Sequence, residues 1–258
     1  MIEISVGHGA LLRTVGHEES PPIVLLHAFG DSSHCYDYLL SSKLAETYRL
    51  IAVDLWGFGG SPARPDVQTF AQFSKALADL LGGLWTRQPI GLVGHSIAGS
   101  MAVEVASLLG DRVSGVFSIE GNLTPADAMF TGRACDFDDP RSFKEAFLME
   151  IWELGQSSHA FRHYYAGSCV GDAATMWTLG RDAKFVSEGN RLGKAFQALS
   201  HPSLYYWSRA STPPETQEWI SGSGIPNEIY QNAGHWPMVE QPQDTAASID
   251  RFFQTVVK

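Results

Sequence analysis

Ile90-Gly91-Leu92-Val93-Gly94-His95-Ser96-Ile97-Ala98-Gly99 carries more of the fold than any other stretch of this 258-residue chain. Its first four residues are an apolar run of the kind that forms a buried strand. From Ile97 onward, Ile97, Met101, Val105 and Leu108 recur at spacings of three and four, the period of a helix. A serine on the tight turn between strand and helix projects its hydroxyl from the sheet edge. The helix N-terminus beneath it favours developing negative charge. Gly94 lets the chain turn without a Cβ clash. A serine N-cap would occupy the same junction; the surrounding glycines favour Ser96 as a nucleophile.

Outward from this stretch the same rhythm repeats. Residues 23–26, 50–53 and 113–119 are further apolar runs, the first bounded by Pro21-Pro22 and Gly30. Residues 1–6 and 10–15 read as two short strands joined at Gly7-His8-Gly9. Phe70, Phe73, Leu77, Leu80, Leu81 and Leu84 mark one helix; Ile249, Phe252, Phe253 and Val256 mark another after a start at Gln241-Pro242. Strands alternating with helices predict an α/β fold, a mostly parallel doubly wound sheet that binds ligands at the carboxyl ends of its strands. Residues 124–202 break the rhythm. They hold helical stripes (Phe143, Phe147, Ile151, Leu154; Leu192, Phe196, Leu199) and crowded aromatics, with no buried strand. They are expected to form a helical cap inserted after the sixth strand, on a core of residues 1–123 and 203–258. The alternation resumes at residues 204–207 and 225–230.

Composition narrows the function. Hydrophobic residues are 44% and charged residues 18%, enough for a sizeable core and too apolar for a disordered chain. The net charge of −10 argues against nucleic acid and against an anionic membrane surface. The cysteines Cys35, Cys135 and Cys169 are few, far apart and odd in number, which fits a reducing compartment. No metal-binding spacing, secretory leader or apolar run of membrane-spanning length is visible. A cytoplasmic protein without cofactor or metal, acting on a small molecule and possible as a homodimer, is the expectation.

Four motifs in order then resemble the α/β-hydrolase family, over roughly residues 20–122 and 203–257. They are His27-Ala28-Phe29-Gly30 after the first buried strand, Asp54-Leu55-Trp56-Gly57-Phe58-Gly59-Gly60-Ser61, the Gly94–Gly99 turn, and Gly234-His235-Trp236-Pro237 before the last helix. The sequence departs from the family pattern at Ala98, in place of the last glycine of Gly-x-Ser-x-Gly, and at Ala28, in place of the glycine after His27. The resemblance implies Ser96 as nucleophile and His235 as general base and acid. It also implies an oxyanion hole made by the backbone N–H groups of Phe29 and Ile97. Asp54 is expected to anchor its own glycine turn. The family usually carries its acid after the strand at 204–207, but Ser208-Arg209-Ala210-Ser211-Thr212 contains no carboxylate. Some members carry it one strand earlier, where Glu120 stands; Asp127 and Glu215 are the alternatives. His27 and His95 flank the site and, with Trp152, Tyr164, Trp177 and Trp236, are candidate substrate-binding residues. Arg133, Arg162 and Arg209 leave room for a substrate carboxylate.

Epoxide hydrolases and dehalogenases of this family use an Asp nucleophile, so Ser96 favours acyl transfer. The expected activity is hydrolysis of a carboxylic ester or lactone of a small, largely apolar substrate. Two alternatives use the same residues: a C–C bond hydrolase of a ring-cleavage dienone, and a ligand-binding receptor with slow turnover.

Overall fold

The apolar runs form the sheet in the computed structural model, which describes residues 1–84 and 88–256. The strands are β1 (Glu3–Gly7), β2 (Ala10–Val15), β3 (Pro22–Leu26), β4 (Arg49–Val53), β5 (Ile90–His95), β6 (Val113–Ile119), β7 (Ser203–Trp207) and β8 (Asn227–Ile229). They lie in the order β1-β2-β4-β3-β5-β6-β7-β8. The first hairpin and the β2–β4 pair are antiparallel and every other pair is parallel. The hairpin turns through His8 and Gly9, both at positive φ (50° and 81°), as a two-residue loop between right-twisted strands requires. β3 and β5 are buried along their whole length, as strands covered on both faces must be.

The helices are α1 (Asp37–Leu40), α2 (Leu44–Thr47), α3 (Phe70–Leu84), α4 (Ile97–Leu109), α5 (Pro140–Gly155), α6 (His159–Cys169), α7 (Ala173–Ser187), α8 (Arg191–Gln197), α9 (Pro214–Ser223), α10 (Pro237–Glu240) and α11 (Pro242–Val256). Side chains alternate along a strand, so Gly91 and Gly94 point to opposite faces of the sheet. A Cβ on Gly91 would meet Phe253 of α11 at 2.4 Å, and one on Gly94 would meet Ala98 O of α4 at 2.3 Å. Helices therefore cover both faces, and at Gly91 and Gly94 they approach β5 too closely for any side chain but hydrogen.

α5 to α8 all fall between β6 and β7, in the stretch that breaks the sequence rhythm. α6 and α7 are not announced by apolar periodicity. Each is started by a side-chain cap: Ser158 accepts from Phe161 N, and Asp172 accepts from Thr175 N. α6 is rich in His, Phe and Tyr, poor intrinsic helix formers, and is held by packing: Phe161 and Tyr164 lie 5.0 and 4.8 Å, ring to ring, from Trp236. α9 fills the stretch between the runs at 204–207 and 225–230, and β8 keeps only three residues of the second run, as suits an edge strand preceded by Pro226. The three cysteines are free. Among the described residues no helix is long and apolar enough to cross a membrane.

Candidate active site

The strand order reverses between β3 and β5: the chain moves from β3 outward to β4, then returns to lay β5 on the other side of β3. Loops leaving the carboxyl ends at such a reversal diverge and open a crevice. The loop after β3 carries Phe29, and the turn after β5 carries Ser96. A cavity of about 450 Å³ lies there, bordered by Phe29, Ser96, Glu120, Tyr164, His235 and Trp236 among others.

Ser96 sits at φ 55°, ψ −133°, a conformation costly for a residue with a Cβ. Its position is fixed from both sides: Ser96 N donates to Ile119 O at 2.9 Å, and Gly99 N to Ser96 O at 2.8 Å. The hydroxyl makes no capping bond to α4, so the plain N-cap role is not what the serine does. Ala98 is fully buried. The tight position is Gly99, where a Cβ would meet Ser118 Oγ at 2.5 Å and Gly121 Cα at 2.9 Å. Ile97 is the first residue of α4, so its N–H has no carbonyl one turn back to bond. Phe29 is fixed through its carbonyl, which accepts from Tyr164 Oη at 2.6 Å.

The ladder runs on past the strand ends. His95 pairs with Ile119 and Ile119 with Tyr206, and Glu120 N donates to Tyr206 O at 2.9 Å. Glu120, itself at φ 44°, thus stands at the carboxyl end of β6 between the serine turn and the loop after β7. Its Oε2 lies 2.6 Å from His235 Nδ1. Its Oε1 accepts from Ser208 N at 3.0 Å, Tyr230 Oη at 2.6 Å and Ser211 Oγ. Burial pushes this carboxyl up, but the His235 bond and charge, with the Ser211 and Tyr230 hydroxyls, outweigh it and hold the group below its ordinary range.

Asp127 and Glu215 do not take this place. Asp127 Oδ2 accepts from Leu123 N and Thr124 N, both at 2.8 Å, and Oδ1 from Thr216 Oγ1 at 2.7 Å. It closes its own turn as a capping box, and burial raises its carboxyl. Glu215 is exposed in the first turn of α9, where it favours the helix dipole.

Of the candidate substrate-binding residues, Tyr164 and Trp236 border the cavity and four others do not. His27 is fully buried; its Nε2 accepts from Leu55 N at 3.0 Å, which leaves Nδ1–H to donate to Ala28 O at 2.7 Å. His95 is fully buried and its Nε2 bonds His235 O at 2.7 Å, so it holds the histidine turn and not a ligand. Burial pushes both imidazoles down and keeps them neutral. Trp152 is 55% exposed on α5 and packs on Tyr165. Trp177 donates to Phe137 O and carries Arg181 over its ring. The aromatic crowding marked this region without showing which face each ring takes.

Arg133 pairs with Glu150, Arg162 bonds Gly155 O, and Arg209 lies over Trp207. None borders the cavity, and no Lys or Arg among the described residues does, whereas Glu120, Asp127 and Glu240 do. Asp54 holds its glycine turn as expected, with Oδ2 accepting from Gly60 N and Oδ1 from Ser33 N. Among the described residues no group of three or more His, Cys, Asp or Glu could hold a metal.

The sequence reading missed Ser208, Ser211 and Tyr230 as the donors around Glu120, and it missed Asp31. Asp31 is fully buried in the loop after β3; Oδ1 accepts from Ser32 N at 2.8 Å and Oδ2 from Trp236 Nε1 at 3.3 Å. Burial, opposed by these two bonds, pushes its carboxyl up to about 7. A raised folded value means that the folded state holds a proton the unfolded chain releases. The stability this contributes is therefore full below pH 3.8 and lost as pH rises to about 7. Between pH 5 and pH 8, D31N is expected to gain on the wild type by about 2–3 kcal/mol in urea unfolding. A constant difference between the two proteins across that range would refute the assignment.

The profile of the alpha/beta hydrolase family matches residues 23–248. Epoxide hydrolase 3 of Xenopus tropicalis is 35% identical over 93% of this chain and 73% of its own length. Bifunctional epoxide hydrolase 2 of Mus musculus is 27% identical over 48% of this chain, and the match spans only 23% of that protein. Among solved structures, a thermophilic esterase from Thermogutta terrifontis superposes with a TM-score of 0.76 at 19% identity, covering 100% of both chains. The N-acyl homoserine lactonase AidH gives 0.78 at 17% identity, covering 99% of this chain and 98% of its own. At those identities the superpositions speak for the fold alone. The profile match, the relative that spans nearly the whole chain and the shared architecture agree: the chain belongs to the alpha/beta hydrolase family.

Proposed function

We propose that this hydrolase is a serine hydrolase that cleaves carboxylic esters or lactones of small, uncharged, largely apolar substrates. Residues 124–202 serve as the cap over its site. The observation that carries the reading is the contact between His235 Nδ1 and buried Glu120, at the edge of the cavity that Ser96 borders. With Nδ1–H held by the carboxylate, Nε2 is the free acceptor. It takes the Ser96 proton as the hydroxyl attacks the carbonyl carbon, then returns that proton to the leaving oxygen as the ester bond breaks. Water attacks the acyl-enzyme by the same path, releasing the acid and restoring Ser96. The N–H groups of Ile97 and Phe29 receive the oxyanion.

Both curated relatives described above are named epoxide hydrolases, and the chemistry of the nucleophile argues against that activity here. A carboxylate that opens an epoxide forms an ester, which water can cleave. A serine oxygen would form an ether, which His235 and water cannot. The absence of cationic side chains around the cavity, among the described residues, further supports a neutral substrate.

Intact-protein mass after fluorophosphonate treatment tests the reading. One adduct on the wild type and none on S96A is the expected result. Labelling of both, or of neither while epoxides are turned over, would overturn it.

A further inference from the structure

The polar side chains around the cavity can be accounted for one by one. Glu120 bonds both Ser211 and His235. Asp127 is saturated by its turn, Glu240 accepts from Gly234 N, and Tyr205 donates to Gly121 O. Tyr164 donates to Phe29 O, Trp236 to Asp31, and Thr131 to Ala128 O, while Ser158 caps α6. Leaving aside Ser96, two groups remain. Asn122 Nδ2 and Thr212 Oγ1 are buried without a hydrogen-bond partner, in residues 1% and 5% exposed that border the cavity. An unpaired buried amide N–H costs on the order of 1–3 kcal/mol, and at the wall of a cavity a ligand can supply the missing partner.

Their place in the fold fits a ligand. Asn122 follows Glu120 past the end of β6, and its backbone is pinned by Ser100 Oγ donating to Asn122 O at 2.7 Å. Thr212 follows the neighbouring strand β7, pinned by Thr212 N donating to Ser208 O at 3.1 Å. Both backbones are fixed while both side chains stay unbonded. Much of the remaining wall is apolar: Ala126, Met129, Phe130, Ala160, Phe161 and Pro213. An apolar cavity with a few unpaired polar groups is a site that fixes orientation.

We propose that Asn122 and Thr212 form a second polar contact that recognises a neutral oxygen of the substrate, separate from the carbonyl under attack. The substrate class is therefore an ester or lactone bearing an ether, keto or hydroxyl oxygen in the part that lies over the ends of β6 and β7, not a plain alkyl ester. The amide N–H donates to that oxygen, and the threonine hydroxyl donates or accepts. An anionic group is disfavoured there because Asp127 and Glu120 border the same cavity. This inference rests on the serine-hydrolase reading for its reaction but not for its binding.

The test uses matched esters in which one methylene of the acyl or alcohol chain is replaced by oxygen, each position in turn. The readout is the ratio of kcat/KM for the oxygen-bearing to the methylene ester, so intrinsic reactivity cancels between variants. N122A is expected to lower that ratio about ten-fold or more for at least one position, and T212V several-fold at the same position. N122A is also expected to keep or raise Tm, because the amide it removes bonds nothing in the protein. The inference is overturned if every ratio stays within about two-fold in both variants. It is equally overturned if N122A loses several degrees of Tm, as deletion of a structural amide does. Binding of the same pairs to S96A and S96A/N122A, followed by isothermal titration calorimetry, separates the two readings. Discrimination that persists in S96A and vanishes in the double variant, in a wild type that fluorophosphonate does not label, would sink the nucleophile and leave this contact standing.

Discussion

S96A is expected to lose at least ~10⁴-fold in kcat on any ester the wild type turns over, with stability changed by no more than ~0.5 kcal/mol. The two halves of this result come from the same geometry. The hydroxyl makes no bond to the N-terminus of α4, so its removal leaves no orphaned helix donor behind. Alanine at φ 55° suffers the strain that serine already bears, whereas S96G relieves it and is expected to gain up to ~1 kcal/mol. A catalytic group held in a costly conformation is one whose replacement by glycine stabilises the protein and whose replacement by anything silences it. Stopped assays with p-nitrophenyl butanoate, paired with thermal melts of the three proteins, check both halves. Survival of kcat within a few-fold in S96A would remove Ser96 from the chemistry. A loss of several kcal/mol in S96G would show that the serine is structural.

The parts of this site that a reader of the sequence can see are those built from a local rule. Gly94-His95-Ser96 is legible because a strand, a tight turn and a helix each leave their own period or glycine in ten residues. The Asp54 turn is legible because an aspartate before glycines bonds their N–H groups, as Gly60 N shows. What stayed hidden depends on residues brought together across the sheet. The stretch from Ser208 to Thr212 has no carboxylate and therefore looks inert, yet it supplies the amide of Ser208 and the hydroxyl of Ser211 to a carboxylate from the next strand. That Glu120, after β6, is held by donors from the loop after β7 is invisible until the β6–β7 register is known. The same holds for His95, whose neighbour in sequence is Ser96 but whose ring faces His235 O, 140 residues away. Within residues 124–202, aromatic residues mark a covered surface, but helix rotation decides that Tyr164 meets the cavity while Trp177 turns to Phe137 O. Asp31 offers no signal at all in the sequence, because a raised carboxyl requires burial that only the packing of Trp236 and α6 provides.

E120Q is expected to lower kcat by ~10³–10⁴-fold, with KM changed far less. The reason is a conflict of donors. Oε1 of Glu120 accepts three bonds, from Ser208 N, Ser211 Oγ and Tyr230 Oη, and Oε2 faces His235 Nδ1. Glutamine keeps one accepting oxygen. The three donors hold that oxygen, and the amide NH₂ then faces Nδ1, which must become the acceptor. The proton moves to Nε2, and the imidazole can no longer receive one from Ser96. The structural cost differs in kind from the catalytic one. The carboxylate is held below its ordinary value of 4.5, so the stability it contributes is present above that pH and is lost as pH falls through the lower folded value. E120Q should therefore flatten the acid side of the unfolding profile while leaving the stretch up to pH 7, where Asp31 titrates, unchanged. D127N supplies the contrast. Its three partners are backbone N–H groups and the Thr216 hydroxyl, so it is expected to lose ~1–2 kcal/mol of stability and less than ~10-fold in kcat. Steady-state kinetics and urea unfolding of the two variants side by side decide the matter: a larger fall in kcat for D127N than for E120Q would move the acid from the end of β6 to the turn that follows it.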